Sequence, residues 1–185
     1  ALREAFPKLQ LYLKEDLTAV LLEQLELGNL DLVLLALPYA AENIETMTLF
    51  GDRFSVVCPA DHPFAQLQKI PTDALASESL LLLADGHCLR DHALQACSLA
   101  RPRQGAFEAT SLHTLVQMVA NGLGITLVPR LALDAGILNG TGLIARELQG
   151  EDPRRDIGLA WRQGSRRQES FELLGKEITA QIDTA

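Results

Sequence analysis

The sequence is short of basic residues. Sixteen Lys and Arg stand against 24 Asp and Glu in 185 residues, a formal net charge of −8 at pH 7 with a pI of about 5.0. A phosphate backbone calls for clustered Lys and Arg, so direct grip on DNA or RNA by these residues is excluded. Long apolar runs are lacking too. The longest, Leu30 to Ala41, contains Asp31 and Pro38 and falls short of the roughly 20 residues that span a bilayer as a helix. No basic-then-apolar signal peptide opens the chain. Its first residues, Ala-Leu-Arg-Glu-Ala-Phe-Pro, read as a helix end stopped by Pro7, which predicts a fragment of a longer protein. Cysteine is scarce and odd in number. Three residues make no disulfide scaffold, and a reducing cytoplasm is the expected compartment. Cys-x-x-Cys, His-Glu-x-x-His, Gly-x-Gly-x-x-Gly, P-loop and Gly-x-Ser-x-Gly patterns are all missing, so no metal and no cofactor are expected.

What is present is a globular composition, 48% hydrophobic and 22% charged, in which short apolar runs alternate with amphipathic stretches. Leu9 to Lys14 alternates as a strand would. Leu17 to Leu27 has helical spacing with Gly28 as its stop, and Leu32 to Leu37 reads as a strand buried on both faces. Thr46 to Phe50 and Phe54 to Cys58 read as two strands punctuated by Gly51 and Asp52. Leu80 to Leu83 is a buried strand and Leu89 to Ala100 a helix. Thr110-Ser111 caps a helix that Asn121-Gly122 ends. Gly124 to Val128 and Ile157 to Trp161 are strands, and Phe171 to Ile182 a final helix. Strand–helix–strand repetition predicts an α/β fold with mostly parallel sheets. Gly51-Asp52 and Gly150 to Asp156 are the candidate crossovers between two lobes.

The chemically loaded segment is Asp85-Gly86-His87-Cys88-Leu89-Arg90-Asp91-His92, with Cys97 nine positions after Cys88. Cys88 falls at the start of a helix, where unpaired amides and the dipole stabilise a thiolate. His87 and Arg90 can add positive charge, while Asp85 and Asp91 oppose it. Two readings stand side by side: an activated thiol, or a loop cysteine with Cys97 as a small apolar filler. Nine helical residues advance about 13.5 Å and turn about 900°, so the two side chains lie on opposite faces. A disulfide needs Cα atoms within about 7 Å; joining these two thiols would unwind the helix. Cys58, in a strand before Pro59, reads as a buried structural thiol. Cys88 and His92 share a spacing that could serve zinc, but Cys97 lies on the other face.

In order along the chain, Phe6-Pro7, Leu22-x-x-Leu25-x-x-Gly28-x-Leu30-Asp31, Asp61-His62-Pro63 and Gly122-x-Gly124-Ile125-x-Leu127-x-Pro129 resemble the effector-binding region of LysR-type transcriptional regulators. The Asp85 to Asp91 segment with Cys97, supported by Ala109-Thr110-Ser111-Leu112 and Pro153-Arg154-Arg155, is similar to the hydrogen-peroxide sensors of that family. The resemblance covers essentially the whole chain. It implies two Rossmann-like lobes of the periplasmic-binding-protein type II, joined by two crossover strands, with the first strand missing from this chain. Lobe I would be 1–51 and 157–185, and lobe II, carrying the redox cysteines, 52–156. It implies that peroxide oxidises Cys88 to a sulfenic acid that Cys97 resolves as a disulfide, refolding the segment between them. It assigns Thr18 and His87 to the peroxide pocket, and Arg90, Asp91 and Arg155 to the thiol environment. Thr18 as a helix N-cap and Arg155 as a solvated surface charge are the alternatives from the residues alone.

Where peroxide sensors often carry a histidine before the Phe leading to Ala-Thr-Ser, this sequence has Ala106. The implied partners are a second copy (homodimer or homotetramer), DNA through an absent N-terminal winged helix-turn-helix, RNA polymerase, and a glutaredoxin- or thioredoxin-type reductant. No membrane and no enzymatic turnover are implied. Two rival readings are a LysR-type domain that binds an organic effector with bystander cysteines, and a thiol peroxidase.

Overall fold

The computed structural model describes residues 2–39, 42–97, 108–150 and 152–182. In chain order the elements are α1 (Leu2–Ala5), α2 (Thr18–Glu26), β1 (Val33–Leu37), β2 (Ile44–Pro59), β3 (Lys69–Pro71), β4 (Leu80–Leu83), α3 (Cys88–Ala96), β5 (Glu108–Ala109), α4 (Leu112–Ala120), β6 (Ile125–Pro129), α5 (Arg130–Asp134), β7 (Leu143–Gln149), β8 (Arg154–Arg162) and α6 (Gln168–Ile182). The chain forms two compact units, Ala1–Gly51 with Asp156–Ala185, and Asp52–Arg155.

In the first unit β1 runs antiparallel to β8, with Val33 opposite Ala160 and Leu37 opposite Asp156, and β8 lies between β1 and β2. Gly158 permits that close approach, since a Cβ there would meet the Met47 carbonyl oxygen at 2.7 Å. Leu22 and Leu25 of α2 pack on Val33, Leu35 and Leu37. Leu49, Leu159, Trp161 and Phe171 form a second apolar cluster on the α6 side. Gly28, at φ +81°, turns the chain out of α2. Arg162 Nη1 donates to the Leu25 and Leu30 carbonyls, fixing that turn to β8.

The second unit holds a six-strand sheet in the order β3-β7-β2-β6-β4-β5. β2 pairs antiparallel with β6 and β7, while β4 is parallel to β6 and β5, and β3 to β7. Because strand side chains alternate, β2 feeds two cores. Phe54, Val56 and Cys58 join Ala93 and Cys97 from the α3 segment, and Val57 joins Leu115, Val116 and Val119 of α4. A helix on each face of parallel β4-β6 strands is the doubly wound arrangement. In it the ends of the parallel strands, where β4 gives way to α3, are the usual place for a site.

Five expectations need correction. Leu9 to Lys14 is not a strand: Tyr12 and Leu13 are 89% and 90% exposed, and among the described residues no strand pairs with the segment. Alternation satisfies a sheet only where a neighbouring strand accepts the hydrogen bonds. Gly51-Asp52 does not break a strand, because β2 continues through it, with Asp52 buried and bonded. The sheets are mixed where mostly parallel ones were expected, because β1 pairs antiparallel with β8, and β6 and β7 with β2. β1 is buried on both faces except at Leu34, which is 57% exposed although Ala36 on the same face is buried. The expected helix from Leu89 begins one residue earlier and is described as far as Ala96; residues 98–100 lie outside the described residues.

Candidate redox site

The site is built on the turn that leaves β4. Ala84 N–H donates to the Ala109 carbonyl (2.9 Å), and His87 N–H reaches back to the Ala84 carbonyl (3.4 Å). Gly86, at φ +93°, supplies the left-handed residue between them. The turn delivers His87 as the N-cap of α3 and Cys88 as its first helical residue. His87 makes no side-chain cap, so no side chain of the N-cap residue competes for the first-turn amides.

Arg90 locks this geometry. Its Nη1 donates to the Leu83 carbonyl at 2.8 Å, and its Nε pairs with Asp85 at 3.3 Å. The Arg90 side chain is 10% exposed and that of Asp85 82%; the ion pair is the weak part, and the bond to the strand end fixes the turn. Asp91, exposed in the first turn of α3, is the carboxylate placed to oppose a thiolate there.

None of the three cysteines is in a disulfide. Cys88 is partly exposed, Cys97 and Cys58 buried. Cys97 closes α3 as its C-cap, its N–H donating to the Ala93 carbonyl at 3.2 Å. Burial pushes the Cys97 thiol up to about 11, which makes it a poor nucleophile while it stays in the core. Burial raises Cys58 as well, against the nearby Arg146 guanidinium. The helix rise holds the Cys88 and Cys97 Cα atoms about 13.5 Å apart along the axis, beyond disulfide reach.

His87, Cys88, Arg90, Asp91 and Cys97 thus fall on one turn and one helix. Arg155 is placed differently. Its Nε and Nη2 both donate to Asp52 Oδ2, at 3.1 and 2.9 Å, and Asp52 Oδ1 accepts from Leu131 N–H. Asp52 is fully buried and Arg155 nearly so, so the pair joins the start of the second unit to its end. Thr18 belongs to the first unit, as a buried residue that opens α2; the N-cap is Leu17, so the N-cap alternative for Thr18 does not hold.

Sequence reasoning missed two groups. Asp52 reads locally as punctuation, while its charge partner lies 103 residues away. The spacing of His92 from Cys88 points only to a possible zinc ligand. Its Nδ1 is buried, and among the described residues it has no hydrogen-bond partner. Among the described residues no three His, Cys, Asp or Glu side chains converge as a metal site, and no helix is long and apolar enough to cross a membrane. Ala106 lies outside the described residues.

A doubly wound unit with a cysteine at a strand-to-helix turn, inserted between the two parts of another, defines a class. The model of the LysR substrate-binding domain matches residues 1–182, and the chain belongs to that family, with its periplasmic-binding-protein-like fold. Within the family it is similar to peroxide-responsive regulators. It is 42% identical to the DNA-binding transcriptional dual regulator OxyR of Escherichia coli K12 over 183 residues, 98% of this chain and 60% of that protein. The chain therefore spans about 60% of the length of the curated relatives it matches. Among solved structures, the reduced regulatory domain of OxyR2 from Vibrio vulnificus is 41% identical with a TM-score of 0.88, over 97% of this chain and 84% of that one. A peroxide-bound mutant of Corynebacterium glutamicum OxyR is 33% identical with a TM-score of 0.92, over 99% and 58%.

Proposed function

We propose that this chain is the regulatory domain of a cytoplasmic, peroxide-sensing transcription activator of the OxyR type, in its reduced form. The observation that carries this reading is the placement of the two cysteines. Cys88 is partly exposed at the first turn of α3, and Cys97 is sealed in the core at the other end of the same helix. Peroxide oxidises Cys88 to a sulfenic acid with release of water. The segment between the cysteines then unwinds and Cys97 leaves the core. Its sulfur displaces hydroxyl from the sulfenic acid, giving the Cys88–Cys97 disulfide and a second water. Arg90 holds the turn, and His87 and Thr18 contribute to peroxide binding. Asp91 and Arg155 set the surrounding charge, Arg155 through its hold on Asp52.

The rebuilt surface alters contacts between copies in a homodimer or homotetramer, and with RNA polymerase. DNA is contacted by an N-terminal winged helix-turn-helix outside this chain, and a glutaredoxin- or thioredoxin-type reductant resets the thiols. Peroxide is consumed once per disulfide, so the protein is a sensor and not an enzyme. Reduced protein treated with near-stoichiometric peroxide, then alkylated and mapped by peptide mass spectrometry, is expected to yield a Cys88–Cys97 disulfide with Cys58 still alkylatable. Persistent alkylation of Cys88 and Cys97 overturns the reading, and a small organic ligand whose binding is indifferent to Cys88→Ser would replace it with an effector-binding domain.

A further inference from the structure

Cys58 and Cys97 share one core. Both are buried in the apolar cluster that receives α3, with Phe54, Val56, Ala93 and Leu127. The sheet register brings them to the same end of it. Because β4 and β5 are parallel, the helix between them runs back along the sheet, which carries Cys97 from the Leu83 end of β4 toward Leu80. Leu80 lies opposite Ile125 and Val57 opposite Thr126, so Cys58, the next residue of β2, falls at the level of Ile125 too. Leu89, Ala93 and Ala96, between the two α3 cysteines, pack on this cluster together with Cys97 itself. A cation serves the same face. On β7, Ile144 lies opposite Cys58 and Arg146 opposite Val56. The Arg146 guanidinium donates only to carbonyls, those of Ala65 (2.7 and 3.2 Å) and Ala145 (3.0 Å). Burial holds the Cys58 thiol in its neutral form, and that guanidinium opposes it.

We propose that Cys58 is a second redox thiol of this domain, sealed while Cys97 shares its core and opened by the Cys88–Cys97 disulfide to exchange with small, carboxylate-bearing disulfides. This rests on the peroxide-sensing reading above, in which the segment from Leu89 to Cys97 unwinds and leaves the core. Its departure strips apolar cover from the end of the sheet where Cys58 lies, and a close-packed interior has no side chain in reserve to fill the gap. Water entering there removes the burial that keeps the thiol neutral. Arg146, held by the Ala65 and Ala145 carbonyls and not by α3, stays in place. The Cys58 thiol then gives its proton to solvent. Its thiolate attacks one sulfur of the small disulfide, a new S–S bond forms as the old one breaks, and the second sulfur leaves as a thiolate with the bonding pair. Cys58 is oxidised, the departing sulfur is reduced, and no other reactant enters. The guanidinium favours reagents that carry carboxylates. The two thiol reactions are thus ordered, the second taking place only where the first has already happened.

The probe is dithiobis(nitrobenzoate), an aromatic disulfide with two carboxylates, and its attachment to Cys58 is followed over time by peptide mass spectrometry. Wild type carrying the preformed Cys88–Cys97 disulfide is compared with C88S, which cannot form it and keeps Cys97 in the core. Cys58 is expected to react about 100-fold faster in the oxidised wild type, since a core thiol otherwise reacts only through rare openings. In oxidised R146Q the rate with this probe is expected to fall about tenfold, while uncharged hydroxyethyl disulfide reacts as it does with wild type, and R146K keeps the preference for the charged probe. Similar rates at Cys58 in oxidised wild type and C88S overturn the proposal and leave the sensor reading standing. Equal falls with both probes in R146Q overturn the assignment of the guanidinium by making it a support for the fold. Failure of the wild type to form the Cys88–Cys97 disulfide overturns the sensor reading itself, and the proposal with it.

Discussion

The second unit covers its sheet with two helices of nine residues each, and they are held very differently. α4 begins under a cap, Ser111 Oγ accepting from Thr114 N–H at 3.2 Å. It ends on Asn121, whose side chain donates to the Gln117 carbonyl, and on Gly122 at φ +76°. It buries Leu115, Val116 and Val119. α3 has no side-chain cap, ends on Cys97 instead of a left-handed glycine, and buries only Ala93 and Leu94 within its span. Each fully buried Leu or Val is worth about 1.5–3 kcal/mol, and Ala much less. The helix that begins at Cys88 and ends on Cys97 is therefore the cheaper of the two to dissolve, which suits the proposed rebuilding of this segment by one disulfide.

Truncation tests this contrast most strongly. Leu115→Ala should cost about 2–5 kcal/mol in denaturant unfolding, and Ala93→Gly in α3 about 1 kcal/mol; equal losses would erase the distinction. Alkali should probe the end of α3. The Cys97 thiol ionises near 9 when unfolded and about 11 when folded. Its contribution is therefore complete below pH 9 and lost as pH rises from 9 through 11, on the order of 2 kcal/mol. Cys97→Ala should flatten that decline in unfolding curves measured across this range, and an unchanged slope would assign it elsewhere. The smallest effect concerns the caps. Ser111→Ala should cost about 1 kcal/mol, seen as faster amide exchange throughout α4. His87→Ala removes no cap from α3 and should change stability by less than about 0.5 kcal/mol.

What the sequence made legible was local chemistry. Ser111 as a cap, Gly28 and Gly122 as stops, and Leu80 to Leu83 as a buried strand each depend on a few neighbouring residues. Cys88, Cys97, Arg90 and Asp91 fall on one turn and helix because their spacing is short. Features that depend on distant partners were misread. Leu9 to Lys14 alternates, but no strand among those described accepts it. Gly51-Asp52 had the composition of a break, yet Asp52 is fixed by Arg155 and by Leu131, 79 residues on. Leu34 has the apolar character of its neighbours, yet it alone in β1 is exposed. The burial of His92 Nδ1, without a hydrogen-bond partner among the described residues, leaves no trace in spacing, because it is defined by what surrounds it.

The pairing of β1 with β8 sets a timetable for the nascent chain. A ribosome releases Val33 long before Ala160, the residue it lies opposite. At about 5–20 residues per second the earlier strand waits roughly 6–25 s for its neighbour. The stretch from Asp52 to Arg155 is contiguous, and its six-strand sheet needs nothing synthesised later. The half of the molecule that carries the cysteines can thus be finished at birth before the half that begins the chain, so both thiols acquire their separate environments while their host is still being made.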